Sequence, residues 1–269
     1  MAIRLECSKS LQKKIYIKPS KKDANLTGNL RVIKIADSSS INKKIIKKPW
    51  GYEHRIYINH SLEIWKLFLD PQASTSFHCH PHKDTLLICI QGTLNFETTS
   101  GTRKLTPGEC VFIERGALHR TSSNNTAILL EVESPPEKND LIRIQDKYGR
   151  NRIGYEIKNS TYDKPIQKVA LTIPRVTKAI KGYQVKLNEF YAEKNCTLPI
   201  SNLIIKDLDF NGKYLQISNL LKNKNWLLVL DGDLELKKGK STTKLSSGSI
   251  GRINKNSLLL THSSHLLIW

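Results

Sequence analysis

The 269-residue chain has no apolar run approaching the eighteen or so residues of a membrane span, so no transmembrane helix is expected. Its start, Met1-Ala2-Ile3-Arg4-Leu5-Glu6, lacks the apolar stretch of a secretory leader, and the expectation is a soluble, cytoplasmic protein. The five cysteines (7, 79, 89, 110 and 196) contain no CxxC pair, are odd in number and are widely scattered. That excludes a disulfide framework and points to free thiols in a reducing compartment.

Acidic residues are also scarce, 24 against 43 Lys and Arg, for a net charge of +19. The excess is uneven. Residues 1–48 hold 13 basic and 3 acidic side chains, residues 49–150 hold 11 and 12, and residues 151–269 hold 19 and 9. Lysine outnumbers arginine by 32 to 11, as a general composition bias would produce. No helix with a dense basic face and no zinc-finger or RNA-binding signature is present, so nucleic acid is not the expected partner.

Helical periodicity is almost missing as well. From Pro49 onward, short apolar runs alternate with turn signals: Ser61–Leu69, Ser74–His80, Thr85–Gln91, Thr93–Thr98, Val111–Glu114 and Ala127–Glu133. Strands at this spacing predict an all-β barrel or sandwich. After a polar link the pattern resumes, with 226–236 shaped like 86–96 and 245–250 like 105–110. This is an internal repeat of about one domain. The expected organisation is a basic N-terminal arm (1–48), a first β domain (49–150), a linker (151–168) and a second, degenerate β domain (169–269). The arm is expected to lie along a domain or a partner subunit, with a disordered tail as its alternative.

What is present, and concentrated, is histidine. His78-Cys79-His80 places two imidazoles at i and i+2, on one face of a strand, with Cys79 on the other. His119 follows in Gly116-Ala117-Leu118-His119. Three neutral ring nitrogens converging in a small barrel make a metal site with open positions. Zinc leads, with iron, manganese or nickel also compatible. The second copy has no His-x-His before Trp226, so it is expected to keep the fold without the ion.

These residues resemble the cupin superfamily, in a two-domain arrangement. His78, His80 and Gly92 match the first cupin motif, while Gly108, Gly116 and His119 match the second. The resemblance implies two double-stranded β-helix (jelly-roll) barrels in tandem. Where the family usually has a glutamate ligand, seven residues before Gly92, this chain has Thr85, which leaves Asp84 or His82 as a possible fourth ligand. A narrower resemblance is to the isomerase domain of type II mannose-6-phosphate isomerases. It rests on Lys48-Pro-Trp-Gly-Tyr-Glu53, Gly116–Arg120, Glu131-Val132 and Asn139–Arg150. The nucleotidyltransferase half of those enzymes is absent, since no Gly-rich nucleotide loop precedes Pro49.

The resemblance implies a sugar-phosphate aldose–ketose isomerase. Glu131 is the first choice for the proton-moving base and Asp84 the second, and Lys66 and Arg120 are to grip the phosphate. The alternative is a non-catalytic or regulatory sugar-binding cupin with a structural metal. An Fe(II) dioxygenase or lyase rests on fold analogy alone. A homodimer is expected, with the basic arm available to serve it.

Overall fold

The computed structural model describes residues 16–28, 30, 32, 45–137, 139–150, 176–180, 182–190, 200–208, 213–216 and 226–269. Most of the expected arm, including all but residues 30 and 32 of its possible strand at 30–35, lies outside the described residues, as does the whole expected linker.

The first half runs β1 (Tyr16–Ile17), α1 (Lys21–Thr27), β2 (Ile45–Lys48), β3 (Gly51–Ile58), β4 (Glu63–Leu69), β5 (Ala73–Ser74), β6 (Phe77–Cys79) and β7 (Asp84–Gln91). It continues with β8 (Leu94–Thr98), β9 (Gly101–Leu105), β10 (Cys110–Ile113), β11 (His119–Ser123), β12 (Ala127–Ser134) and β13 (Ile142–Gln145). Two sheets form. One has the order β1-β10-β7-β12-β4-β3-β2, and the other β13-β6-β11-β8-β9 with β5 paired to β11.

The second half contains β14 (Val176–Ile180), β15 (Tyr183–Phe190), β16 (Ile200–Asp207), β17 (Leu215–Gln216), β18 (Trp226–Gly232), β19 (Leu234–Lys238), β20 (Ser241–Leu245), β21 (Ile250–Arg252), β22 (Leu258–Leu260) and β23 (Ser263–Ile268). Its sheets read β14-β15-β16-β23-β18-β21 and β17-β22-β19-β20. The central order β10-β7-β12-β4-β3 thus returns as β21-β18-β23-β16-β15, and β6-β11-β8-β9 returns as β17-β22-β19-β20. Each half is a pair of facing sheets in jelly-roll order, antiparallel throughout except where β1 joins β10. Gly92 and Gly232 close the same turn in both. Each has positive φ, 78° and 81°, and a Cβ would sit 2.6 Å from Thr126 O or 2.2 Å from Ser263 O. No L side chain fits such a turn.

Burial on both faces explains the unbroken apolar runs. In β7, Leu87 and Cys89 face the first sandwich interior, while Leu86, Ile88 and Ile90 face outward. That outer face is not wet. Together with Leu130 and Val132 of β12, it packs against Leu228, Leu230 and Leu267 of the second half. Asn59 Nδ2 also donates to Leu230 O across this layer, at 2.8 Å. Each such side chain contributes roughly 1.5–3 kcal/mol by leaving water.

The described part of the arm lies on the first half. β1 joins β10 in parallel, Tyr16 stacks on Phe112 with 4.8 Å between centroids, and Ser20 caps α1 in a capping box with Asp23. The buried Asp23 carboxylate accepts from Leu118 N at 3.2 Å and Thr99 Oγ1 at 3.0 Å, which ties the arm to the segment that delivers His119. Among the described residues no helix is long and apolar enough to cross a membrane.

Candidate metal centre

The first sheet of the site is β6 against β11. His119 pairs directly with His78 across this ladder, and His80 follows two residues along on the same face. Phe77 and Cys79, on the reverse face, pack with Leu118 and Ile142. Burial pushes the Cys79 thiol up to about 12, which suits a packed thiol. The turn before β11 is pinned by Gly116 N donating to His80 O at 2.8 Å.

The three rings lie 4.5 Å (His78–His119), 5.0 Å (His78–His80) and 5.7 Å (His80–His119) apart between centroids. Each turns its Nδ1 to a backbone carbonyl: His78 to Ser76 O at 2.7 Å, His80 to Asp140 O, and His119 to Ala117 O at 3.0 Å. A carbonyl oxygen only accepts, so each Nδ1 carries a proton, and Nε2 is the atom left to bind an ion when the ring is neutral. One ligand atom from each histidine lies within 4.8 Å of the others, and His119 Nε2 is buried with no hydrogen-bond partner. Burial drives His119 down to about 4 despite the Ala117 carbonyl, and holds His78 well below its usual value with help from its two histidine neighbours. Both are neutral at pH 7. Neutral imidazoles oriented by carbonyls, with lone pairs converging, are the donor set a divalent cation requires.

The opposite wall comes from β12. His80, Glu131 and Glu133 form a second group whose ligand atoms lie within 4.8 Å of one another. Glu133 Oε1 is 3.8 Å from His80 Nε2 and 2.6 Å from Lys83 Nζ, with both acid and lysine buried. The pocket between the walls measures about 50 Å³, and Lys48, Trp50, Glu53, Arg143 and Arg150 line it as well. Lys48 and Glu53 pair at 3.2 Å. Arg143 donates to Arg150 O at 2.8 Å, and Arg150 forks onto Asp146 at 2.6 and 3.0 Å. Burial raises the Asp146 carboxyl, but the bonds from Arg150 outweigh it and leave its pKa lowered.

Several residues expected at the site lie elsewhere. Asp84 is fully buried on the other face of β7, where it takes Arg115 N at 3.0 Å and the guanidinium at 3.2 Å twice. The His82 side chain is 74% exposed and bonds Asp140 Oδ1 at 2.7 Å. Neither reaches the histidines, because neither shares the inward parity of its strand or turn. Arg120 alternates with His119, so it points away from the site, forking onto Glu97 at 2.7–3.0 Å over the Phe77 ring. Lys66 is on the face of β4 opposite Trp65 and Leu67, with its ammonium over Tyr52. Of the four proposed catalytic side chains only Glu131 reaches the pocket. Glu133 and Lys83 were missed as site residues, whereas Arg143 and Arg150 belong to the Asn139–Arg150 stretch that carries the narrower resemblance. For Glu133 the signal was there, since it shares the parity of Glu131.

Both groups that could hold a metal lie in the first half among the described residues. His262 and His265 of the second half join neither, and His265 bonds Asn202 across β16–β23 instead. A larger cavity of about 570 Å³ in that half, lined by residues such as Asp207, Asp233, Glu235 and His262, holds no such group.

Residues 65–133 match the family described as Cupin domain. The mannose-1-phosphate guanylyltransferase of Sinorhizobium fredii is 26% identical over 104 residues, covering 37% of this chain and 20% of that protein. Xanthan biosynthesis protein XanB of Xanthomonas campestris is 26% identical over 109 residues, covering 39% and 23%. This chain therefore matches about a fifth to a quarter of the length of these curated relatives. Among solved structures, a cupin-superfamily sugar phosphate isomerase from Silicibacter pomeroyi aligns over 58% of this chain and 70% of its own, at 12% identity and a TM-score of 0.29, too slight to carry an argument. The strand order and the histidine constellation agree with the match of residues 65–133 to the Cupin domain family, and the chain is similar to part of mannose-1-phosphate guanylyltransferases.

Proposed function

We propose that this chain is a metal-dependent aldose–ketose isomerase acting on a sugar phosphate of the mannose-6-phosphate kind. The observation that carries the reading is the convergence of His78, His80 and His119 with the Glu131 and Glu133 carboxylates in one buried pocket. The division into a metal-holding domain (49–150) and a second domain without ligands (169–269) belongs to the same proposal, as do a homodimer and a cytoplasmic location. Cys79, Cys89 and Cys110, buried and outside any disulfide, are in keeping with that location.

A divalent ion, zinc foremost, would supply Lewis-acid polarisation of the substrate's carbonyl and neighbouring hydroxyl oxygens. Glu131 takes the proton from C2 of the aldose and returns it to C1 while the hydroxyl proton of O2 passes to O1, so one C–H and one O–H bond break and one of each forms, with no net redox change. Arg143 and Arg150, which line the pocket, replace Lys66 and Arg120 as the phosphate-holding pair, their planar forks held in place by Arg150 O and Asp146. The histidine and carboxylate walls keep water away from the reacting carbons.

The test is a coupled assay of the zinc-, iron-, manganese- and nickel-loaded protein against a panel of hexose and pentose phosphates. Mannose 6-phosphate should be converted to fructose 6-phosphate, and Glu131→Gln should cut kcat by roughly 10²–10⁴ at unchanged metal content. A fully metal-loaded protein inactive on the whole panel would sink the proposal. The second reading, a non-catalytic sugar-binding cupin, is favoured by Thr85 at the position where the family usually has its glutamate ligand. Its mark would be tight sugar-phosphate binding without turnover, unchanged in His119→Ala.

A further inference from the structure

We propose that Glu133 of β12 is the carboxylate ligand of the metal centre, taking over from across the ladder the role that Thr85 of β7 cannot fill. The inference rests on the reading that an ion binds at the three histidines.

Thr85 and Glu133 are directly paired in the β7–β12 ladder, on the same interior face as Leu87–Glu131 and Cys89–Leu129. Side chains opposite each other in an antiparallel pair have Cβ atoms about 4.5–5.5 Å apart. A glutamate rooted at either position therefore reaches the same volume beside the histidines. Thr85 has only a short hydroxyl there, and it is buried. Glu133 already sits with Oε1 3.8 Å from His80 Nε2.

The competing carboxylates are accounted for. Asp84 faces the other way and is bound by Arg115. Glu131 lies two residues before Glu133 on β12, opposite Leu87 and not Thr85, and it lines the same pocket as the residue assigned to the proton transfer. Lys83 does not disqualify Glu133. A carboxylate offers about four lone-pair positions, so it can keep the lysine and still bind an ion. Lys83 at 2.6 Å is the kind of outer partner that fixes a ligating carboxylate's orientation.

The experiment measures zinc content by elemental analysis and zinc affinity by chelator competition in the full chain, with cobalt absorption as a report on the ligand set and circular dichroism as a check of folding. Glu133→Gln should bind zinc at least tenfold more weakly and change the cobalt spectrum. Glu133→Asp, which keeps the charge facing Lys83, should also weaken binding at least tenfold while melting like wild type. The volume-conserving swap Thr85→Glu with Glu133→Thr should restore affinity to within about threefold. Glu131→Gln should bind zinc like wild type. A folded Glu133→Asp or Glu133→Gln with wild-type affinity overturns the proposal, as does a folded swap that fails to recover it. If wild type and His119→Ala bind equally little zinc, the metal reading itself falls and this assignment with it. If only His119→Ala loses zinc, the assignment of Glu133 falls alone.

Discussion

Asp84→Asn separates a structural role for this residue from a catalytic or ligating one. The Asp84 carboxylate is fully buried and receives three bonds from Arg115, one from the backbone and two from the guanidinium. Asparagine keeps the shape and can still accept from Arg115 N, but it turns an NH₂ donor toward the guanidinium. A hydrogen bond to a charged group contributes about 1.5–3 kcal/mol. The Arg115 side chain is 40% exposed, so its charge can turn back to water and part of the loss is recovered. The expected net cost is about 2 kcal/mol. With an m value of about 1–3 kcal/mol per M for a domain of this size, the urea midpoint should fall by roughly 1 M at unchanged m. Arg115→Met should cost more, about 3 kcal/mol, because it strips the counter-charge from the partner that cannot reach water. Zinc affinity should change by no more than the 10–100-fold of an outer support, acting through the Arg115-Gly116 turn. An Asp84→Asn protein with an unshifted midpoint, or with zinc binding or turnover abolished at full stability, would refute this reasoning.

Arg120→Ala should leave turnover and sugar-phosphate affinity within twofold of wild type and cost under about 1 kcal/mol, since its pair with Glu97 is half-exposed and outside the pocket; steady-state kinetics check this. Leu130→Ala should lower the unfolding free energy by about 2–5 kcal/mol in denaturant titrations, because the side chain is wholly buried in the layer between the two halves. Asp146 has a lowered pKa when folded, so its contribution is present above its unfolded value near 3.8 and is lost as pH falls through the lowered folded value. Asp146→Asn should therefore be less stable than wild type at neutral pH, and the gap should close in acid, as followed by urea midpoints at stepped pH.

Much of the fold was legible because its strands carry their own signal. The apolar runs of β7, β12 and β18 mark strands within a residue or two of their observed limits. β11 escaped because His119-Arg-Thr-Ser-Ser123 is polar throughout, its inward positions being filled by a ligand and hydroxyls. At the site, two histidines two apart on one strand could be paired from sequence alone, since alternation is a local property. The same parity excludes Arg120, the immediate neighbour of His119.

Sequence alone determined the all-β class, the repeated strand pattern and the pairing of His78 with His80, which depend on local alternation, turn glycines and spacing, while the jelly-roll order and the place of His119 beside them were what the cupin resemblance implied. Tertiary structure decided what depends on register and on which surfaces meet. It turned the outer face of β7 and β12 into a core shared with the second half. It sent Asp84 to Arg115 and Lys66 to Tyr52. It set Glu133 opposite Thr85, a pairing fixed by how two strands 48 residues apart slide into register, which neither strand specifies by itself.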